Sequence, residues 1–206
     1  MRIGLYGGTF DPVHFGHLVL AEQCREQCRL EEVWFIPAGH PPHKTEQQIS
    51  PVACRVDMVQ MAIAGHPQFR LDLRETKRTG LNYTVDTVAE IARERPGDSL
   101  HLLIGADSLR DLPTWREPER ILELAEIVAV NRPGVAGNIL QSLKPLLNSH
   151  TLSRIRELTI PGCDISSRDL RQRVRDGQSV RYLMPRAVEC YVAECGLYQA
   201  QMTNDK

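Results

Sequence analysis

Short apolar stretches alternate with helix-patterned stretches along almost the whole chain, and that alternation narrows the fold more than any other feature. Arg2–Tyr6, Val33–Pro37, Phe69–Leu73, Leu100–Ile104, Ile127–Val130 and Glu157–Ile160 read as strands. Leu100–Ile104 is nearly unbroken in its apolar character, as a parallel strand covered on both faces would be. Between them lie helical patterns. One runs from about Gly16 to Leu30. Another carries Val52, Val56, Val59 and Ile63 on one face. A third is marked by Val85, Val88, Ala89 and Ala92 and stopped by Pro96-Gly97. Further helices are expected near Glu119–Ala125, Ser167–Arg175 and Pro185–Cys195. Repeated β-α units of this kind predict an α/β, Rossmann-like, doubly wound parallel sheet. With 206 residues and no low-complexity linker, a single domain spanning 1–206 is expected, with 199–206 as a frayed tail.

The formal net charge is −1, so no broad basic face for nucleic acid is implied, although a local basic cluster around phosphates is compatible with it. No apolar run approaches the length a membrane helix needs, and the N-terminus reads as a strand rather than a secretory signal. A cytoplasmic protein, with no nucleic-acid or membrane partner, is the resulting expectation. The six cysteines lack zinc-ribbon spacing and read as small buried hydrophobes; a metal site on Cys24 and Cys28 is the weaker alternative.

The stretch Gly7-Gly8-Thr9-Phe10-Asp11-Pro12-Val13-His14-Phe15-Gly16-His17 follows the first strand and opens the first helix. Ligands in open α/β sheets bind beyond the carboxyl ends of strands. Glycines there let the backbone approach a phosphate, and the helix presents its positive end. The Gly-Lys-Ser/Thr of kinase-type phosphate loops and the three-glycine dinucleotide fingerprint are both absent. Two histidines stand in their place. Three positions apart at a helix start, His14 and His17 can face one point and donate to phosphate oxygens where charge develops during transfer. His17 also shares a stripe with Leu20, Ala21, Cys24 and Cys28, so a core histidine is the competing reading. Metal ligation by the pair is a third, with no third ligand placed.

Other strand ends repeat the pattern. Pro41-Pro42-His43-Lys44 sits in the polar segment Gly39–Ser50, where Lys44 could reach a phosphate. Thr84, in Asn82-Tyr83-Thr84-Val85-Asp86-Thr87, could cap a helix whose first amides would bind an anion such as a carboxylate. Gly105-Ala106-Asp107-Ser108 places a glycine and a carboxylate suited to ribose hydroxyls after the fourth strand. Trp115 offers a face to a flat heterocycle, or simply packs. Arg132 suits a bidentate phosphate contact. Ile165-Ser166-Ser167-Arg168-Asp169-Leu170-Arg171 starts a helix whose amides, hydroxyls and Arg171 could cradle a triphosphate.

Taken together, these strings resemble the bacterial nicotinate-mononucleotide adenylyltransferases, within the nucleotidyltransferase superfamily defined by His-x-Gly-His. The resemblance runs in order from about Arg2 to Tyr198 and includes Val180-Arg181-Tyr182-Leu183-Met184-Pro185. It implies adenylyl transfer from ATP to nicotinate mononucleotide, giving deamido-NAD and pyrophosphate, with Mg²⁺ arriving on ATP and no protein metal ligand. It also implies roles. His14, His17 and Arg171 would be catalytic. Gly7, Gly8, Thr9, Phe10, Lys44, Gly105, Asp107, Ser166 and Ser167 would bind ATP and its phosphates. Thr84 and Val85 would hold the nicotinate carboxylate by their amides, Trp115 would stack on the pyridine, and Arg132 would serve the mononucleotide phosphate. Arg168 stands where that family usually has Thr, which removes a hydroxyl and adds a charge. The competing classes are a transferase acting on pantetheine phosphate or the amide mononucleotide, and a non-catalytic nucleotide-binding module.

Overall fold

A computed structural model describes residues 1–41, 49–131 and 149–199. Six strands form one sheet: β1 (Arg2–Gly8), β2 (Glu32–Pro37), β3 (Phe69–Leu71), β4 (Ser99–Gly105), β5 (Glu126–Asn131) and β6 (Ile155–Thr159). Their spatial order is β3-β2-β1-β4-β5-β6 and every adjacent pair is parallel. The described helices are α1 (Phe15–Gln27), α2 (Val52–Ile63), α3 (Thr84–Glu94), α4 (Ala106–Asp111), α5 (Pro118–Leu124), α6 (Ser149–Leu152), α7 (Ser167–Arg175) and α8 (Arg186–Glu194). This is the expected doubly wound α/β arrangement.

Alternation along the strands builds two cores. Val33, Phe35, Leu103, Val128 and Val130 point to one face and pack with Ala21 and Cys24 of α1, Met58 and Val59 of α2, Leu170 of α7 and Val188 of α8. Ile3, Leu5, Leu102, Ile104, Ile127 and Ala129 point to the other, against Val85, Val88 and Ile91 of α3, Leu109 of α4 and Ile121 of α5. Each such aliphatic side chain, fully buried, contributes about 1.5–3 kcal/mol.

The boundaries differ from the expected ones for local reasons. The first helix stops at Gln27 rather than Leu30, because Arg29 adopts a left-handed backbone with φ 52° and Leu30 N–H turns back to the Arg25 carbonyl. Strand β3 ends at Leu71; Asp72 N–H still reaches the Phe35 carbonyl, and the Asp72 carboxylate then accepts from Arg74 N–H and bends the chain away. The last strand runs Ile155–Thr159 rather than Glu157–Ile160. Of the cysteines, Cys24 and Cys28 are buried as expected, whereas Cys54, Cys163 and Cys190 are half-buried and Cys195 is exposed. None of the described helices is long and apolar enough to cross a membrane.

The sheet order reverses direction between β1 and β4. At that point the crossovers leave to opposite faces, and a crevice opens beyond the carboxyl ends of the two strands. Both strands end in glycine there, Gly8 and Gly105.

Candidate active site

A cavity of about 640 Å³ fills that crevice. Its floor is Gly7, Gly8 and Thr9 from β1 and its exit, and Gly105 and Ser108 from the exit of β4; His17 of α1 lines it too. The far wall is Asn82, Tyr83, Thr84 and Thr87 around the start of α3, with Trp115 and Arg116 from the turn before α5. A Cβ added at Gly7 or at Gly105 would meet no atom within 4 Å. Packing therefore does not require glycine at either position; what it leaves is room for a ligand close to the backbone.

The two histidines differ in placement. His14 is the N-cap of α1, 5% exposed, and is absent from the cavity wall. Its ring lies against that of His17, with centroids 3.8 Å apart. His17 Nδ1 accepts the His14 backbone N–H at 3.2 Å. An accepting Nδ1 puts the proton of the neutral ring on Nε2, so His17 is set as a donor. Phe10, expected at the phosphates, is instead 2% exposed and packs edge-on to His17 at 5.1 Å and to Tyr6 at 5.5 Å. Its side chain supports the His17 ring from behind.

The loop carrying these residues is fastened from four sides. Asp11, 3% exposed, accepts the Tyr198 hydroxyl at 2.6 Å on Oδ1 and the Ser50 N–H at 3.2 Å on Oδ2. Its carbonyl accepts Arg171 Nη1 at 2.7 Å, and the neighbouring Pro12 carbonyl accepts the Ser167 hydroxyl at 2.9 Å. Arg55 of α2, 1% exposed, donates to the carbonyls of Ser50 at 3.1 Å, Thr9 at 2.9 Å and Gly39 at 3.3 Å. Burial pulls the Arg55 guanidinium below its ordinary value, opposed by the Asp11 carboxylate. One cation thus ties the exit of β1 to the exit of β2. At Gly39 a Cβ would sit 2.4 Å from the Glu75 carbonyl, so this close approach requires glycine.

The start of α3 is open. Its N-cap, Tyr83, makes no side-chain cap bond, and the first backbone bonds of the turn are from Asp86 and Thr87 N–H to the Tyr83 carbonyl. The Thr84 and Val85 amides precede them and carry the positive end of the helix toward the cavity. Thr84 lines the cavity, whereas Val85 is 2% exposed and is absent from its wall. Glu75 also lines this wall, buried and accepting the Thr87 hydroxyl at 2.7 Å; burial raises its carboxyl above the usual range, with the Thr87 bond and Arg78 opposing.

Of the residues singled out in the sequence, Gly7, Gly8, Thr9, His17, Thr84, Gly105 and Trp115 converge on the cavity. Asp107 does not: its side chain is 91% exposed and pairs with Arg110 at 3.1 Å, and Ser108 lines the cavity in its place. Ser166 caps α7 through Asp169 N–H at 3.1 Å, while Ser167 and Arg171 hold the loop rather than the cavity wall. Lys44 and Arg132 lie outside the described residues, as do Pro42, His43, Pro133, Gly134 and the tail from 200 onward. Sequence reasoning missed Arg55, Tyr198, Glu75 and Arg116. Arg55 had a signal: it is a lone charge sharing the face of Met58, Val59 and Ile63 on α2.

Comparison with known proteins matches the chain to the cytidylyltransferase-like family over residues 5–173. A protein of Thermomicrobium roseum named "Probable nicotinate-nucleotide adenylyltransferase" is 42% identical over 96% of this chain and 92% of its own length. One of Thermus thermophilus under the same name is 43% identical over 97% and 100%. Among solved structures, Plasmodium falciparum nicotinic acid mononucleotide adenylyltransferase complexed with NaAD superposes with a TM-score of 0.75 at 17% identity, covering 96% and 97% of the two chains. The same enzyme complexed with APC gives 0.73 at 16%, covering 96% of each.

Proposed function

Because the chain belongs to the cytidylyltransferase-like family and, within it, to the nicotinate-nucleotide adenylyltransferases, we propose that its cavity joins ATP to nicotinate mononucleotide, releasing pyrophosphate and deamido-NAD. One observation carries the reading at atomic level. A single cavity has a phosphate-type floor of Gly7, Gly8 and His17 at one end, and Trp115 with the open start of α3 at the other. A flat ring bearing an anionic group fits the second end; an amide-rich backbone and an imidazole donor fit the first.

The chemistry needs little from the chain beyond placement. An oxygen of the mononucleotide phosphate, already an anion at neutral pH, attacks the α-phosphorus of ATP in line. The new P–O bond forms as the bond to the bridging oxygen breaks, and pyrophosphate carries that electron pair away. No general base is required, and catalysis rests on alignment and charge stabilisation. His17 Nε2–H would donate to a phosphate oxygen as charge shifts, its tautomer fixed by the His14 amide. His14 would act beside it, and Arg171 and the start of α7 would meet the triphosphate from the far side of the loop. Lys44 and Arg132 are assigned to phosphates on their sequence context. The Thr84 and Val85 amides would take the nicotinate carboxylate and Trp115 the ring.

Mg²⁺ would enter with ATP. It would keep several waters and offset phosphate charge. The test is direct. Purified protein with Mg-ATP and nicotinate mononucleotide should yield the dinucleotide, identified by mass, in a one-to-one ratio with pyrophosphate. ATP binding without either product would overturn the reading.

A further inference from the structure

The carboxylate end of the cavity carries a cation that the reading above does not use. Arg116 lines the cavity next to Trp115, and its guanidinium carbon lies 4.8 Å from the centroid of the Tyr83 ring. Tyr83 is the N-cap of α3, so the cation is parked at the helix end where the Thr84 and Val85 amides emerge. A cation and a helix N-terminus repel one another, and their fields add toward the cavity. We infer that Arg116 is a specificity-determining residue that makes the site prefer an acidic mononucleotide over its neutral amide. This rests on the adenylyl-transfer reading and names what distinguishes the substrates.

The guanidinium is available for such a role. Its ionic neighbours are loose: Asp86 Oδ2 at 3.9 Å and Glu117 Oε1 at 3.5 Å, with all three side chains about half exposed. Pairs of this kind are weakly held in water. Stacking on Tyr83 fixes the cation's position without consuming its N–H donors. A ligand carboxylate entering between the α3 amides and Trp115 would add to the two surface carboxylates as a third anion, sharing the helix end with Asp86 of the first turn but lying on its cavity side. Glu75, the remaining acid on this wall, is buried, and its carboxyl is already engaged by the Thr87 hydroxyl at 2.7 Å. A neutral carboxamide can offer its carbonyl to the same donors but brings no net charge for the guanidinium to attract.

The experiment compares nicotinate and nicotinamide mononucleotides with wild-type protein, Arg116→Gln and Arg116→Lys. For one unit charge several ångströms away at a wet cavity mouth, kcat/KM for the acid should fall about fivefold in Arg116→Gln. The amide should change less than about twofold, and KM for ATP should stay where it was. Arg116→Lys should recover most of the loss, because charge rather than the planar fork is what counts. Asp86→Asn, which frees the cation, should move the acid-to-amide ratio the other way. Quenching of tryptophan fluorescence by each mononucleotide without ATP, in a Trp34→Phe background that leaves Trp115 as the reporter, gives the same comparison in binding alone. An equal loss for both substrates, or an unchanged ratio in an active Arg116→Gln, would overturn the inference. Absence of dinucleotide from the wild type with either mononucleotide would instead overturn the adenylyl-transfer reading, and the fluorescence comparison would still decide the role of Arg116.

Discussion

Replacing Arg55 with methionine should cost both stability and rate. The guanidinium is 1% exposed and donates to three carbonyls, those of Thr9, Gly39 and Ser50. Methionine fills much of the volume, so cavity formation is minor. What remains is one buried carbonyl, that of Gly39, and two half-buried ones, those of Thr9 and Ser50, without this donor, and Asp11 without its nearby cation. Breaking a buried charge network from one side costs about 3–5 kcal/mol. For a chain of this size each kcal/mol lowers Tm by about 2–4 °C, so a drop of roughly 6–20 °C is expected in thermal melts followed by circular dichroism. The folded variant, assayed well below its melting point, should lose about tenfold or more in kcat, because the exits of β1 and β2 are no longer tied together and phosphate alignment degrades. Arg55→Lys should recover less than half of the loss, since a compact ammonium cannot span three separated carbonyls. A Tm within about 2 °C of wild type for Arg55→Met would refute this account of the loop.

Further outcomes follow from the same geometry. His17→Ala should lower kcat by about 10²–10³ while ATP binding, measured by calorimetry, changes far less, as expected for a donor used mainly in the transition state; equal losses in both would make His17 structural. Tyr198→Phe removes only the hydroxyl donated to Asp11, a charge-assisted bond worth about 1.5–3 kcal/mol, and should depress kcat more than it raises either KM; an unchanged kcat with a lowered Tm would reduce Tyr198 to a stability role. His101 is 1% exposed in the middle of β4, and burial, followed by Arg2, lowers its imidazole below the ordinary value against the pull of Glu126. The unfolded chain therefore takes up a proton below about pH 6.5 while the folded chain resists, so stability is complete above that pH and declines beneath it. His101→Leu should flatten the part of the Tm decline between pH 7 and 5.5 that His101 causes; an unaltered slope would remove this residue from the acid response.

The parts legible in the sequence were those that depend on local pattern. Strand alternation and the β-α rhythm specify a parallel doubly wound sheet, and glycines at strand ends mark the crevice. The roles of Phe10, Asp107 and Ser167 were less legible, because a motif gives proximity in the chain but not the direction of a side chain. Phe10 takes a left-handed backbone with φ 50° and turns under His17, and Asp107, in the first turn of α4, points outward to Arg110. Arg55 and Tyr198 were beyond local reading for a different reason. Their partners lie 46 and 187 positions away in the chain, so only the folded topology brings them to the loop. Arg116 was overlooked because a half-exposed arginine has no periodic signature; its meaning comes from the Tyr83 ring it rests on.

The most direct test of the central claim is a competition. The protein is given Mg-ATP and equal concentrations of nicotinate and nicotinamide mononucleotides, and the early dinucleotide products are separated and weighed. The account predicts pyrophosphate matched by dinucleotide, with deamido-NAD in clear excess over NAD. Pyrophosphate without dinucleotide, or no pyrophosphate while ATP demonstrably binds, would contradict it.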